Sequence, residues 1–330
     1  RLIIMSSFWT IWVSVLSLGT LIGCYLLLRM CLKNFAGVPE GEATGHVFDG
    51  IEELNNPLPK WWSNFFLLTI LWGFFYIAVY GLGGWKGFSG WQSSNPGILN
   101  LAESKEKSAL AKETGMLVQY DREVAAADEK YGPIFEAYAK REIIDLATAN
   151  DEEATAARKV GQRLFLQNCS QCHGSDARGA TGFPNLADQD WLYGGSPEMI
   201  KATLMHGRKA NGMMAWSAAL GGEQGVKEVA EFVLSLSGRE VDPQMAQAGK
   251  VKFAMCTACH GSEGKGSAEM GIALGAPNLT DNIWLYGGSQ RAVETSIANG
   301  RAGVMPAWDK ILGEQKIHVI SAYVYSLSQK

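Results

Sequence analysis

Four of the six cysteines in this 330-residue chain fall into two short motifs, Cys169-Ser170-Gln171-Cys172-His173 and Cys256-Thr257-Ala258-Cys259-His260. Each is a C-x-x-C-H sequence, the attachment signature of c-type haem. The spacing suits that chemistry, because two thiols can add to the two vinyl groups of one porphyrin and leave the adjacent imidazole beneath the iron. A zinc site would pool the thiols in one cage, whereas each pair here stands in its own segment with its own histidine. Two covalently bound haem c groups are therefore expected, attached through Cys169, Cys172, Cys256 and Cys259, with His173 and His260 as axial iron ligands. Cys24 and Cys31 lie in an apolar run, where a thiol serves as a small packing residue.

A sixth iron ligand has to come from the segment downstream of each motif. Met305 stands in Gly303-Val304-Met305-Pro306-Ala307-Trp308, and Met213 takes the matching place in Gly212-Met213-Met214-Ala215-Trp216. A thioether favours ferrous iron, so a His/Met pair raises the potential relative to two histidines. The expectation is Met213 for the first haem and Met305 for the second. Met214 adjoins Met213, and the first segment lacks the proline of the second, so Met214 stays open as an alternative. His206 is a weaker competitor; it and His318 read as exposed or core-satisfying residues. Two saturated irons leave no open coordination position, and no nucleophile–base constellation, P-loop or dinucleotide fingerprint is present. The chain is expected to carry electrons, with no catalytic residue of its own.

The residues around these ligands recur in order. After the first motif come Pro184-Asn185-Leu186, Trp191-Leu192-Tyr193-Gly194-Gly195-Ser196, Gly207-Arg208 and Ala215-Trp216. After the second come Pro277-Asn278-Leu279, Trp284-Leu285-Tyr286-Gly287-Gly288-Ser289, Gly300-Arg301 and Ala307-Trp308. One small domain thus occurs twice. Asn150 or Asp151 can cap a helix that carries Glu152 and Glu153 in its first turn and leads to Cys169. At the far end of each unit, Val226, Val229, Phe232, Val233 and Leu236 are matched by Ile317, Ile320, Tyr323, Val324 and Leu327, an apolar stripe at helical spacing. A helix on either side of a haem, joined by a loop rich in Gly and Pro, is the plan of a class I cytochrome c. The expected fold is mainly α, with tandem cytochrome c domains over 151–238 and 239–330 behind a helical linker over 91–150.

Residues 1–90 read as a membrane anchor. Two runs, about 8–32 and 61–82, are long and apolar enough to cross a bilayer, with Trp9, Trp12, Trp61, Trp62 and Trp85 near their ends. The first run is too long for a cleaved signal peptide and has no small-residue cleavage site behind it. Arg29, Lys33 and Lys60 flank the segment between the runs, which fits a cytoplasmic loop, although Glu40, Glu42, Asp49, Glu52 and Glu53 dilute the signal. Type-c haem is attached on the outer side of bacterial inner membranes, so both termini and the haem domains are expected in the periplasm. A net charge of −4 offers no basic patch for nucleic acid.

The segment from His46 to Trp62, with Phe48-Asp49-Gly50-Ile51-Glu52-Glu53-Leu54-Asn55-Asn56-Pro57-Leu58-Pro59-Lys60 between, closely resembles that of the CcoP family, the dihaem subunits of cbb3-type cytochrome c oxidases. So do the stretches from Ala127 to Phe135 and from Gly182 to Trp191, and the resemblance runs from Trp9 to the end. It implies an electron-transfer subunit of a proton-pumping respiratory haem-copper oxidase, beside a catalytic subunit and a monohaem cytochrome subunit. Electrons would enter from a soluble cytochrome c. The alternative is a membrane-tethered dihaem shuttle serving a dehydrogenase or another complex, which would not need the Asp49 to Trp62 loop.

Overall fold

The computed structural model describes residues 2–34, 36–83, 85–95, 98–209, 212–272 and 274–329. Arg1, Phe35, Gly84, Pro96, Gly97, Ala210, Asn211, Ala273 and Lys330, which fall inside the expected segments, lie outside the described residues. The chain divides into two units, 1–130 and 131–330.

In the first unit, helices α1 (Leu2–Cys31) and α2 (Lys60–Tyr80) are the two apolar runs. They pack on one another, and Gly73 permits it, since a Cβ there would lie 2.8 Å from the Leu21 side chain. Elsewhere their apolar side chains face outward: Phe65 is 62 % exposed and Trp72 63 %. That surface has no place in water but suits lipid. Between the helices, β1 (Ala43–Phe48) and β2 (Ile51–Leu54) form an antiparallel hairpin in which Phe48 pairs with Ile51. Asp49 and Gly50 both have positive φ, 51° and 81°, as a two-residue I′ turn requires. The stretch expected as a loop is thus a hairpin, its turn carried by Asp49-Gly50. Helix α3 (Leu101–Thr114) is capped by Asn100, whose side chain accepts from the Glu103 N–H.

Helix α4 (Gln119–Ala139) spans the division between the units. The second unit continues with α5 (Ile143–Thr148), α6 (Glu152–Asn168), α7 (Ser170–His173), α8 (Pro197–His206), strand β3 (Arg208–Lys209) and α9 (Glu223–Leu236). Then follow α10 (Pro243–Lys252), α11 (Thr257–His260), α12 (Gln290–Asn299), strand β4 (Val304–Met305), α13 (Asp309–Leu312) and α14 (Glu314–Leu327). Asp151 is the α6 cap, accepting from the Ala154 N–H at 2.9 Å.

The packing of these helices departs from the expected order. Consecutive domains would set α6 against α9 and α10 against α14. Instead α6 lies on α14 and α10 on α9. Phe165 and Cys169 share a core with Ile317, Ile320, Tyr323 and Val324, and Phe253 shares one with Val226, Val229 and Val233. The two sequence repeats have therefore exchanged their last helices. A third cluster joins Tyr138, Ile143, Leu146 and Ala147 to Val319 and Ala322 of α14, so packing does not break at the expected boundary after residue 150. The exchange is possible because α9 and α14 present the same apolar stripe, so either can cover either haem-motif helix.

Both crossings are close and alike. At Gly161 of α6, a Cβ would lie 2.6 Å from the Val319 carbonyl oxygen and 2.7 Å from Tyr323 Cβ; at Gly249 of α10 it would lie 1.9 Å from the Glu228 carbonyl oxygen. Phe165 meets Tyr323 with ring centroids 5.6 Å apart, and Phe253 meets Phe232 at 5.1 Å.

Candidate metal centres

Each C-x-x-C-H motif sits on a single helical turn directly after the helix that delivers it. Cys169 closes α6 and caps α7, so that Cys172 and His173 follow on one turn. Cys256 does the same for α11 after the 3₁₀ turn Phe253–Met255. His173 and His260 are both buried. Their Nδ1 atoms lie 3.0 Å from the Pro184 carbonyl and 3.1 Å from the Pro277 carbonyl. A carbonyl can only accept, so Nδ1 carries the proton and Nε2 keeps its lone pair, as a metal-ligating imidazole requires. Burial also pushes both imidazoles below their ordinary pKa, holding them neutral.

Burial likewise raises the Cys169 thiol to about 11 and the Cys256 thiol above its usual range, each with help from the second cysteine of its motif. Among the described residues no cluster of three or more His, Cys, Asp or Glu side chains could form a metal cage. The donor set therefore suits thioether attachment with one histidine to each iron.

The methionines follow the exchanged helices. Met305 packs against the cluster holding Phe165 and Cys169, and Met213 against the cluster that includes Phe253 and Cys256. The packing sets Met305 beside the core of the first motif and Met213 beside that of the second, opposite to the order expected from the sequence. A backbone ribbon ties the two methionine segments together: Arg208 pairs with Met305 in the β3–β4 ladder, and Met213 exchanges N–H···O bonds of 2.7 and 2.8 Å with Arg301. Gly207 and Gly300 allow this approach, each having positive φ and another chain segment within 2.5 Å of where a Cβ would stand. Of the competitors, Met214 is 66 % exposed and His206 is exposed. His318 is buried with Nε2 2.8 Å from the Arg141 carbonyl, a satisfied core residue.

One further feature supports a bound group. Trp284 Nε1 is sealed from solvent and has no hydrogen-bond partner among the described residues. A sealed donor costs about 1–3 kcal/mol unless a group brings it an acceptor, and a porphyrin carries two carboxylates. Sequence reasoning used Trp284, Tyr286 and Arg301, with Trp191, Tyr193 and Arg208, only as markers of the repeat. Their recurrence beside both motifs was the available sign of a role.

The model for the N-terminal domain of cytochrome oxidase-cbb3, FixP, matches residues 40–86, and that for cytochrome c oxidase, cbb3-type, subunit III matches residues 156–233 and 243–324. The cbb3-type cytochrome c oxidase subunit CcoP of Rubrivivax gelatinosus is 40 % identical over 326 residues, covering 98 % of this chain and 96 % of that one. The CcoP subunit of Azospirillum brasilense is 37 % identical over 302 residues, 87 % of this chain and 95 % of the relative. The FixP subunit of Azorhizobium caulinodans is 38 % identical over 301 residues, 88 % and 94 % of the two chains.

Proposed function

Given that the chain belongs to the CcoP/FixP family of cbb3-type cytochrome c oxidase subunits, we propose that it relays electrons through two crosswise-built haem sites, each joining the two sequence repeats. It is an electron-transfer subunit of a cbb3-type oxidase, carries two covalently bound haem c groups, and works in a complex with other oxidase subunits. Bound haem iron supplies a one-electron couple. In this reading Cys169 and Cys172 would anchor the first group, and His173 and Met305 would ligate its iron. Cys256 and Cys259 would anchor the second, with His260 and Met213. The observation that carries the pairing is the packing of Met305 with the Cys169 core and of Met213 with the Cys256 core.

The surrounding residues have defined tasks. The Pro184 and Pro277 carbonyls fix the two imidazoles, which removes the reorganisation that a swinging ligand would add to each electron transfer. Phe165, Leu204 and Ile320 on one side, and Val229, Phe253 and Ile297 on the other, exclude water from the sites. A dry pocket and a thioether both favour the reduced iron. The haem units lie on the periplasmic side of the inner membrane, where a soluble cytochrome c delivers electrons. They pass them toward the monohaem subunit and the haem-copper catalytic subunit. The segment from Lys33 to Lys60, with its hairpin, is cytoplasmic and contacts neighbouring subunits during assembly.

Purification of the tagged chain from its native membrane under mild detergent tests the reading. Co-purification of b-type haem, copper and cytochrome c oxidase activity is expected; a lone dihaem protein with none of these favours the membrane-tethered shuttle.

A further inference from the structure

Two arginines occupy equivalent places in the two sites, and neither has an anionic partner among the described residues. Arg208 and Arg301 are half-buried, and neither makes a salt bridge there, whereas Arg141 makes three. Both are held in place nonetheless. Arg208 Nε donates to Thr203 Oγ1 at 2.9 Å, and Arg301 Nε to Ser296 Oγ at 2.9 Å. Arg208 lies over the Tyr193 ring at 4.8 Å and Arg301 over the Tyr286 ring at 4.3 Å. Arg208 also points one Nη at Met199 Sδ, 3.0 Å away, a weak acceptor that does not answer a charge.

Holding a half-buried guanidinium in one geometry without a counter-ion is unfavourable, and its flat fork is matched to carboxylates. The ribbon shows which site each arginine serves. Residues directly opposite in an antiparallel pair project their side chains to the same face. Arg208 is opposite Met305, and Arg301 is bridged to Met213. Each arginine therefore leaves the ribbon on the face that carries the methionine of its own site. In the second site the orphaned Trp284 Nε1 belongs to the segment that supplies Tyr286. A cation held on one element and a dry donor without an acceptor on another both call for an anion brought in with the cofactor.

We propose that Arg208 and Arg301 bind the carboxylates of the haem in their own site and raise its reduction potential. A positive charge near the porphyrin edge favours the reduced iron, which carries one positive charge fewer than the oxidised iron. The two arrangements meet at the seam between the repeats. The Tyr193 hydroxyl comes within 2.3 Å of where a Gly275 Cβ would stand, Tyr286 lies similarly against Gly182 at 3.2 Å, and the Gly182 N–H donates to the Leu285 carbonyl at 2.7 Å. A charge removed from one site is therefore felt at the other, more weakly.

The proposal rests on the two-site reading above, and its test separates the two. The intact chain in detergent is titrated by spectroelectrochemistry as parent, Arg208→Gln, Arg301→Gln, the double variant and both Arg→Lys variants. The near-infrared sulfur-to-iron band is recorded for each to establish that methionine ligation persists. Each Gln variant should lower mainly one of the two midpoints, a different one in each case, by about tenfold in the reduction equilibrium, or 59 mV for one electron. The double variant should lower both, and the Lys variants, which keep the charge but lose the fork, should fall less than the Gln variants. Unmoved midpoints with the band intact overturn the arginine proposal and leave the ligation reading standing, as does an equal fall in the Lys and Gln variants. If the band itself is lost in a Gln variant, the residue supports the methionine strand rather than a carboxylate, and the proposal fails for that site.

Discussion

Substituting Gly249 by alanine probes the exchanged packing at its tightest point. The new Cβ would stand 1.9 Å from the Glu228 carbonyl oxygen and 2.5 Å from its carbonyl carbon. Both are main-chain atoms of α9 that no rotamer change can move. Ordinary contact begins near 3.4 Å, so α10 and α9 would have to part by about 1.5 Å over one turn. Overpacking of this kind costs about 1–3 kcal/mol, occasionally more, while alanine gains about 1 kcal/mol over glycine within a helix. The net expectation is a loss of about 2 kcal/mol. Gly161→Ala meets Val319 and Tyr323 at 2.6 and 2.7 Å, a milder clash, and should cost about 1 kcal/mol. Guanidinium unfolding of the purified chain, followed by helical circular dichroism and haem absorption, gives the two values and their order. Equal or greater stability in either variant would refute the close crossing at that glycine, because the propensity gain would then have met no opposing clash.

Burial and the neighbouring carboxylates of Asp281 and Asp188 push Asp190 up to about 6. The folded chain thus holds a proton that the unfolded chain has already released, so stability should fall as pH rises from about 4 to about 6; unfolding midpoints across that range should flatten in Asp190→Asn, and an unchanged slope would remove Asp190 as the cause. The hairpin exposes Val47, Phe48 and Ile51. Replacing Glu52 to Pro59 by a Gly/Ser segment, or Phe48 and Ile51 by serine, should leave both haems attached while reducing co-purification of the catalytic subunit and oxygen consumption; unchanged assembly would assign the contact elsewhere. With an impermeant thiol reagent on spheroplasts, a cysteine probe near Ser267 should label and one at Asn55 should not, and the opposite pattern would invert the topology.

The two C-x-x-C-H turns are legible in the sequence because covalent chemistry is local and needs no distant residue to be recognised, and each of their histidines is buried with Nδ1 against a proline carbonyl. The methionine candidates come from their place in the repeat, which is also a local property. Their pairing was not legible. Val226, Val229, Phe232 and Leu236 carry the same pattern as Ile317, Ile320, Tyr323 and Leu327, so either helix satisfies the apolar face of α6 or α10. Nothing within one repeat states which copy it will meet. The membrane helices were readable from length and polarity, with ends shifted by a few residues. The hairpin at Asp49-Gly50 was overlooked because its strands are short and exposed on both faces, leaving no alternation of buried and exposed residues to reveal them. For Arg208 and Arg301 the repeat signals a recurring place beside each motif but not what they bind, since an unpaired cation is defined by what does not surround it.

The crosswise pairing of ligands is tested most directly in a chain that holds a single haem. With Cys256 and Cys259 replaced by alanine, only the haem at Cys169, Cys172 and His173 remains, and its near-infrared sulfur-to-iron band can be assigned without overlap. In that background Met305→Ala should abolish the band and Met213→Ala should leave it. Loss of the band in Met213→Ala with retention in Met305→Ala would show that each repeat ligates its own iron, and would contradict the exchanged architecture.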